Sequence, residues 1–358
     1  LILGPPGSGK TNLLLLRASQ MVHSGKPNVL VIVFTRTLRE FIASGGHRYA
    51  FGDERIQTMK SWTYEFLREQ GIKAVNDKDF TKERQLRLAQ IKDAINVRKL
   101  STQHEAIILD EAQDYWPEEL DVFFSLGKVV FAAADARQQI YTTGDAPQGS
   151  LAKRFNENVY NLKHHYRNGH QICHVADELA SGWTGFSPLT PTSNYPEKQI
   201  PSSVTIHQCA DIPAQVAKAI ETLATQIKAY PDEQLAILSP KSILKQVWKE
   251  IINSRLGGFS ILQSSDEGYA PFEPGKPICV CSVHSAKGLE FRAVHLIDSE
   301  EIGKSPLRRN ITYTAVTRAK TSLSIYHSKP LPPYLAAALS VVKPTVPVAK
   351  LEQLFKES

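Results

Sequence analysis

Eight residues near the start, Gly4-Pro5-Pro6-Gly7-Ser8-Gly9-Lys10-Thr11, constrain this chain more than any other stretch. The spacing Gly4-x-x-x-x-Gly9-Lys10-Thr11 is that of a phosphate-binding loop. Gly4, Gly7 and Gly9 let the backbone curl so that successive N–H groups converge on an anion. Such a loop hangs from a buried strand and opens a helix. It therefore predicts a strand over 1–3 and a helix from Thr11 to about His23, with its positive end toward the same anion. In that arrangement Lys10 carries a point charge to the outer phosphates and Thr11 offers a hydroxyl to Mg²⁺. Pro5, Pro6, Ser8 and Asn12 complete the loop and the first turn. Three strand residues are few against the usual five or six. With Leu rather than Met at position 1, the expectation is that upstream residues are missing from this sequence.

The remaining sequence supplies a sheet for that loop. Short apolar, β-branched runs occur at 29–34, 106–109, 129–134, 204–206, 235–238, 278–282, 293–297 and 322–326. Between them, 37–43, 80–100, 214–230 and 243–253 have helix-forming composition. Strand–helix alternation predicts an α/β fold whose parallel sheets are covered by helices. A length of 358 residues suits two domains. A turn-rich stretch at 141–150 places the boundary near Asn158, and a Pro-rich arm follows from Lys329. The predicted units are 1–158, 159–328 and the arm 329–358.

Charge excludes little. Lys and Arg number 21 against 19 Asp and Glu in residues 1–158, and 21 against 17 in 159–358. Neither half is a basic block, so nucleic acid would have to be met by a local groove. No apolar run reaches membrane-spanning length. Cys173, Cys209, Cys279 and Cys281 form no paired zinc pattern, so reduced thiols and a cytoplasmic location are the expectation.

A second constellation, Asp110-Glu111-Ala112-Gln113-Asp114, follows the apolar run Ile107-Ile108-Leu109. Carboxylates at the carboxyl end of a buried strand lie where α/β sheets place their chemistry. Asp110 would hold Mg²⁺ opposite Thr11, and Glu111 would orient and deprotonate an attacking water. Acidic residues that merely favour a helix dipole are the plainer reading. Pairing with the upstream loop favours nucleotide hydrolysis.

With these two motifs in place the chain resembles the ATPase core of UvrD/Rep-type superfamily 1 DNA helicases. DEAQD is that family's form of its second motif. Ala134-Asp135-Ala136-Arg137-Gln138-Gln139-Ile140-Tyr141 resembles the third, and His165-Tyr166-Arg167 resembles the Asn-Tyr-Arg of the fourth. His284-Ser285-Ala286-Lys287-Gly288-Leu289-Glu290-Phe291 and Tyr313-Thr314-Ala315-Val316-Thr317-Arg318-Ala319 are close to the fifth and sixth. Phe34-Thr35-Arg36 and Thr58-Met59-Lys60-Ser61 resemble two further segments. The resemblance runs from residue 1 to about 327.

It implies two RecA-like P-loop domains, 1A and 2A, with ATP in the cleft between them. It also implies Arg167 and Arg318 as arginine fingers, Gln138 as a γ-phosphate sensor, and Gly288 and Glu290 as nucleotide contacts. An isolated arginine would instead be read as a surface ion pair. Phe34, Thr35, Arg36, Thr58, Tyr141, His284 and Ser285 would line a track for single-stranded or partly duplex DNA. The activity implied is ATP-dependent 3′-to-5′ translocation or unwinding. Phe34 could equally close a buried strand, Trp62 is expected in the core, and Tyr141, in a polar stretch, is expected to be exposed.

Several departures from the family pattern stand out. The adenine-recognition segment that precedes the loop is absent, Ala134 replaces Gly, and His165 replaces Asn. The Trp or Phe that often follows the motif III Tyr is missing. Residues 62–105 leave room for two helices but no large insertion, and 263–277 stands where a second insertion would be expected. This stripped-down form leaves open an ATP-gated regulatory module of a fused N-terminal domain or partner nuclease, without intrinsic unwinding. A nucleotide switch or kinase is a third reading, disfavoured by motifs V and VI.

Overall fold

The computed structural model describes residues 1–44, 52–141, 147–156, 158–266, 268–302 and 307–342. Residues 142–146 of the turn-rich 141–150 stretch and the end of the arm, 343–358, lie outside the described residues.

Two parallel sheets form the framework. The first is built from β1 (Ile2–Leu3), α1 (Lys10–His23), β2 (Val29–Val33), α2 (Arg36–Ser44), β3 (Ile56–Thr58), α3 (Met59–Glu69), α4 (Phe80–Arg98), β4 (Ala106–Leu109), α5 (Pro117–Leu126), β5 (Val130–Ala134), α6 (Pro147–Arg154) and β6 (Tyr160–Asn161). Its strand order is β3-β2-β4-β5-β1-β6, all parallel. β5 therefore separates the loop-bearing β1 from the Asp-Glu-bearing β4, the RecA-like arrangement that the sequence predicts. β2 and β4 are buried at every position because helices cover both faces, hence their unbroken apolar runs.

Two-residue β1 survives by being paired on both sides. Ile2 registers with Ala133 and with Tyr160, and the Leu1 amine donates to the Asn158 carbonyl at 2.9 Å. The expected boundary near Asn158 thus precedes a strand that still belongs to the first sheet.

The second sheet comprises α7 (His170–Leu179), β7 (Ser203–Gln208), α8 (Ile212–Ala229), β8 (Leu235–Ser239), α9 (Leu244–Ile252), β9 (Ser260–Ser264), β10 (Gly268–Tyr269), β11 (Ile278–Ser282), β12 (Phe291–Leu296), α10 (Arg308–Val316), β13 (Ala319–His327) and α11 (Pro333–Leu339). The order is β10-β9-β11-β8-β12-β13-β7, with β10 alone antiparallel to its neighbour. The 263–277 segment is thus a short hairpin extension of the sheet edge. α11 buries Leu335, Ala338 and Leu339 and packs on α7, which anchors the start of the arm.

One apolar cluster runs continuously from Leu14, Val31 and Leu38 of the first half to Ala286, Leu289 and Val316 of the second. Separate clusters fill the far side of each sheet, with Trp62, Phe66 and Phe123 in one and Val216, Ile237 and Val247 in the other. Trp62 is in the core, as the sequence predicts.

Inside the second sheet His295 is fully buried, with one ring nitrogen 2.8 Å from the Tyr326 hydroxyl and the other 2.8 Å from the Gln226 side-chain Oε1. Burial, assisted by His207, drives its pKa down to about 3. A base whose pKa is depressed by folding stabilises the native state above its unfolded pKa, about 6.5, and loses that contribution as pH falls toward about 3. Melting temperature should therefore drop through this window, and His295→Asn should flatten the slope; an unchanged slope contradicts the assignment.

Candidate nucleotide site between the two sheets

The loop after β1 curls as its glycines require. Gly7 and Gly9 have φ of +70° and +86°, and Ser8 N–H closes a turn onto the Pro5 carbonyl at 3.3 Å. Space matters as well as angle: a Cβ on Gly7 would come within 2.3 Å of the Arg167 Cβ. The next contact explains this crowding, since Tyr166 N–H donates to the Gly7 carbonyl at 3.1 Å. The chain segment after the first sheet is therefore docked on the phosphate-binding loop.

Lys10 lies across the loop, donating to the Gly4 and Pro5 carbonyls at 2.9 Å each. Burial lowers its pKa, against the opposing pull of Asp135 and Glu111. Thr11 donates to Asp110 Oδ2 at 2.7 Å, so the two oxygens assigned to Mg²⁺ lie side by side at the end of β4. Burial and the neighbouring Glu111 charge raise the Asp110 pKa. A hydroxyl and a charge-starved carboxylate form a hard oxygen pair that fits a divalent cation, whose remaining positions water and phosphate would complete. Among the described residues no cluster of three or more His, Cys, Asp or Glu side chains makes a self-sufficient metal cage.

Every polar letter of DEAQD is engaged. Glu111 is buried in the left-handed region at φ +54°, a conformation that a non-glycine residue adopts at a cost. Gln113 donates to Glu111 Oε2 at 2.6 Å and accepts from Asp135 N–H at 3.0 Å, tying β4 to β5. Asp114 accepts from Ile140 N–H at 3.3 Å. Burial raises the Asp114 pKa to about 6 although Lys287 pulls it down.

Lys287 is the residue that motif matching passed over. It comes from the second half, is fully buried, and bonds to Asp114 Oδ2. Its Nζ also donates to the Gln138 carbonyl at 2.7 Å and stands 3.5 Å from Glu111 Oε2. Burial raises the Glu111 pKa, but Lys287, Lys10 and Arg318 outweigh it, so the carboxylate is held below its ordinary range. The signal was present in the fifth motif. A lysine in a turn ordinarily reads as solvent-exposed, which is why it was missed.

Arg318 reaches the same place. It is 1% exposed, donating to the Thr314 and Leu289 carbonyls at 3.0 and 2.9 Å and to Gln138 Oε1. Burial and nearby Arg167 depress its pKa to about 9. Gln138 in turn donates to Asp135 Oδ2 at 2.8 Å. Arg167 pairs with Glu290 at 2.8 Å, and Glu290, held down to about 2 by Arg167 above all, also meets Lys320 at 3.3 Å. Arg167 and Glu290, expected on phosphate and sugar, are here each other's partners.

His165 is buried with a ring nitrogen 2.9 Å from the Leu189 carbonyl, a packing role. Tyr166, between them, is 63% exposed. The sequence reading gave it no role, yet it presents the free aromatic face beside the loop.

Gly288 has φ +85°, and a Cβ there would meet Leu38 Cδ2 at 2.6 Å. α2 and the fifth motif touch at this point, and the Thr35 hydroxyl donates to the Lys287 carbonyl at 3.1 Å.

The seven expected track residues divide. Phe34 is half-buried, its ring 4.8 Å from Tyr141 and 5.7 Å from Tyr115. Arg36 is exposed and lies over the Tyr269 ring of the β9–β10 hairpin at 4.9 Å. His284 is half-buried, 5.9 Å from Tyr141, and Ser285 bonds to the Ser282 hydroxyl at 3.0 Å. One expectation, the exposure of Tyr141, is corrected, and the hydroxyl of Thr58 is engaged at the start of α3. Thr58 is buried and spends its hydroxyl capping α3, accepting from Ser61 N–H at 3.0 Å, a reciprocal cap completed by Ser61. Tyr141 is only half-exposed because Phe34, Phe80 and His284 pack around its ring.

Comparison with known proteins bears on the second half most directly. Residues 277–326 match the UvrD-like helicase C-terminal domain family. No curated protein matches the chain. Similar solved structures include the C-terminal domain of a possible DNA helicase from Lactobacillus plantarum WCFS1, at 22% identity over 48% of this chain and 93% of that one, TM-score 0.35. Two more are the Arterivirus nonstructural protein 10 helicase (15% identity, 94% and 61% covered, TM-score 0.43) and the PRRSV helicase (17%, 92% and 54%, TM-score 0.40). The chain thus spans just over half the length of these two viral proteins. No helix among the described residues is long and apolar enough to cross a membrane. The segment that brings Lys287 to Asp114 and Arg318 to Gln138 thus lies within the residues, 277–326, that match the UvrD-like helicase C-terminal domain family.

Proposed function

We propose that the chain hydrolyses ATP between its two sheets and uses the cycle to move along single-stranded DNA, as a 3′-to-5′ translocase or helicase. Its working units would be 1–158 and 159–328, followed by the arm. One observation carries the reading: Lys287 and Arg318 of the second half are bonded to Asp114 and Gln138 of the phosphate-loop half. A site divided this way opens when the halves part, which is what a nucleotide-driven motor requires.

In this reading Lys10 exchanges its two loop carbonyls for phosphate oxygens. Thr11 and Asp110 would hold Mg²⁺, which when bound offsets phosphate charge. Glu111, kept ionised by the cations around it, accepts a proton from the attacking water at its carboxylate. Arg167 and Arg318 stabilise charge on the transferring group, and Gln138 couples Arg318 to Asp135. The exposed Tyr166 ring beside Gly7 offers a surface for the base.

Glu111→Gln keeps the shape and removes the proton acceptor. DNA-stimulated ATP turnover should fall by about 10²–10⁴-fold while oligonucleotide binding survives. If neither DNA nor RNA stimulates the wild-type ATPase, the reading fails. Hydrolysis without strand displacement at saturating protein would restrict it to translocation or regulation of a partner.

A further inference from the structure

We propose that Phe80, at the start of α4, stacks an unpaired base of the nucleic-acid strand, with Tyr141 supporting it from behind. The proposal rests on the translocase reading and adds a contact to it. The sequence lacks the second aromatic residue expected after Tyr141. The resemblance names Tyr141 among the residues lining the track. The structure redistributes these roles. Tyr141 is enclosed by Phe34 at 4.8 Å and His284 at 5.9 Å, so its faces are largely taken. Phe80 lies 6.1 Å from Tyr141 with the rings tilted by 37°, and it remains 56% exposed. The rings form a connected series from Tyr115 through Phe34 and Tyr141 to Phe80, open to solvent at its last member.

The helix explains why that ring is there. The inward stripe of α4 runs Arg84, Arg87, Leu88, Ile91, and Phe80 continues it by one more turn. Leu88 and Ile91 belong to the cluster of Trp62, Phe66 and Phe123, and Arg84 already lies over the Trp116 ring at 4.4 Å. One turn earlier the stripe has passed the core and reaches Tyr141, whose ring also meets His284. The occupant is an unpaired base because Phe80 extends the aromatic series of the expected strand track, Phe34 and Tyr141, beside His284. Charge near the ring is balanced: exposed Lys78 and Lys82 alternate in sequence with Asp77, Asp79 and Glu83, and Lys82 pairs with Asp77 at 3.0 Å. An open aromatic face suits a base of any identity, since every base presents a π-face.

The test uses the full chain and fluorescein-labelled (dT)15 by anisotropy, comparing wild type with Phe80→Ala, Phe80→Leu and Phe80→Trp. Removing the π-face should weaken binding by roughly 5- to 150-fold in both Ala and Leu variants. The Trp variant should bind as wild type does, and its added indole emission should be quenched by the oligonucleotide. Wild-type binding that Ala and Leu leave within twofold overturns the proposal and leaves the translocase reading standing. Loss in Ala but not Leu also overturns it, assigning the site to apolar contact rather than stacking. Absence of wild-type binding overturns both. Because Phe80 is mostly exposed, the variants should melt with the parent, and the Trp emission provides a readout independent of the truncations.

Discussion

Arg318→Ala lowers maximal DNA-stimulated ATP turnover by about 10³–10⁵-fold, the range an arginine finger supplies. Three bonds in different directions, to Thr314, Leu289 and Gln138, hold this guanidinium in the cleft without solvent access. Arg318→Lys should not rescue it, because an ammonium cannot reproduce the planar fork that spans those acceptors. Both variants also leave buried acceptors unpaired, so some stability is lost with the activity. Nucleotide affinity separates the two effects. If binding of a fluorescent ADP persists while turnover collapses, the guanidinium acts on the reaction. Turnover within tenfold of wild type would reduce Arg318 to a strut between the halves.

Lys287→Met destabilises the protein by about 3–5 kcal/mol, the cost of removing one partner from a buried ion pair. Asp114 and Glu111 stay behind, both buried, with the nearest cation gone. Asp114 is already raised to about 6 with Lys287 present. Without it the carboxyl should take up a proton near neutrality, so the variant should regain part of its lost stability between pH 7 and pH 5. A double-mutant cycle gives the sharper measurement. Lys287→Met combined with Asp114→Asn should be less destabilised than Lys287→Met alone, since the uncompensated charge is gone. Simple additivity of the two substitutions would contradict the pairing.

Much of the framework was legible because it rests on local pattern. β4 and β11 occupy the predicted 106–109 and 278–282, and α4 and α8 lie within two residues of their predicted bounds. Buried parallel strands read as unbroken apolar runs and long helices sustain helix-forming composition over several turns, so both signals accumulate. α10 escaped for the opposite reason. It is buried at six consecutive positions, Ile311 to Val316, and so has no polar face to set a period. β3 has three residues, too few for any alternation to show.

The site shows the same division. Spacing alone brought Lys10, Thr11, Asp110 and Glu111 to one place, since a strand, a tight loop and a helix start leave the backbone few alternatives. Spacing could not reveal that Thr58 caps a helix, that Tyr141 is enclosed, or that Arg167 and Glu290 pair with each other. These are competitions between partners brought close by the fold, and distance in space decides them.

By itself, then, the sequence determined the phosphate-binding loop, the carboxylate-bearing strand and the parallel sheets beneath them. Tertiary structure alone decided how the halves meet. It buried Lys287 among Asp114, Glu111 and the Gln138 carbonyl, 173 residues from its aspartate partner, and it left Phe80 rather than Tyr141 as the open aromatic face. The reason is physical. Local geometry is fixed by torsion angles and short-range hydrogen bonds written into neighbouring residues. Whether a charge is paired or a ring is covered depends on what the remainder of the chain places against it.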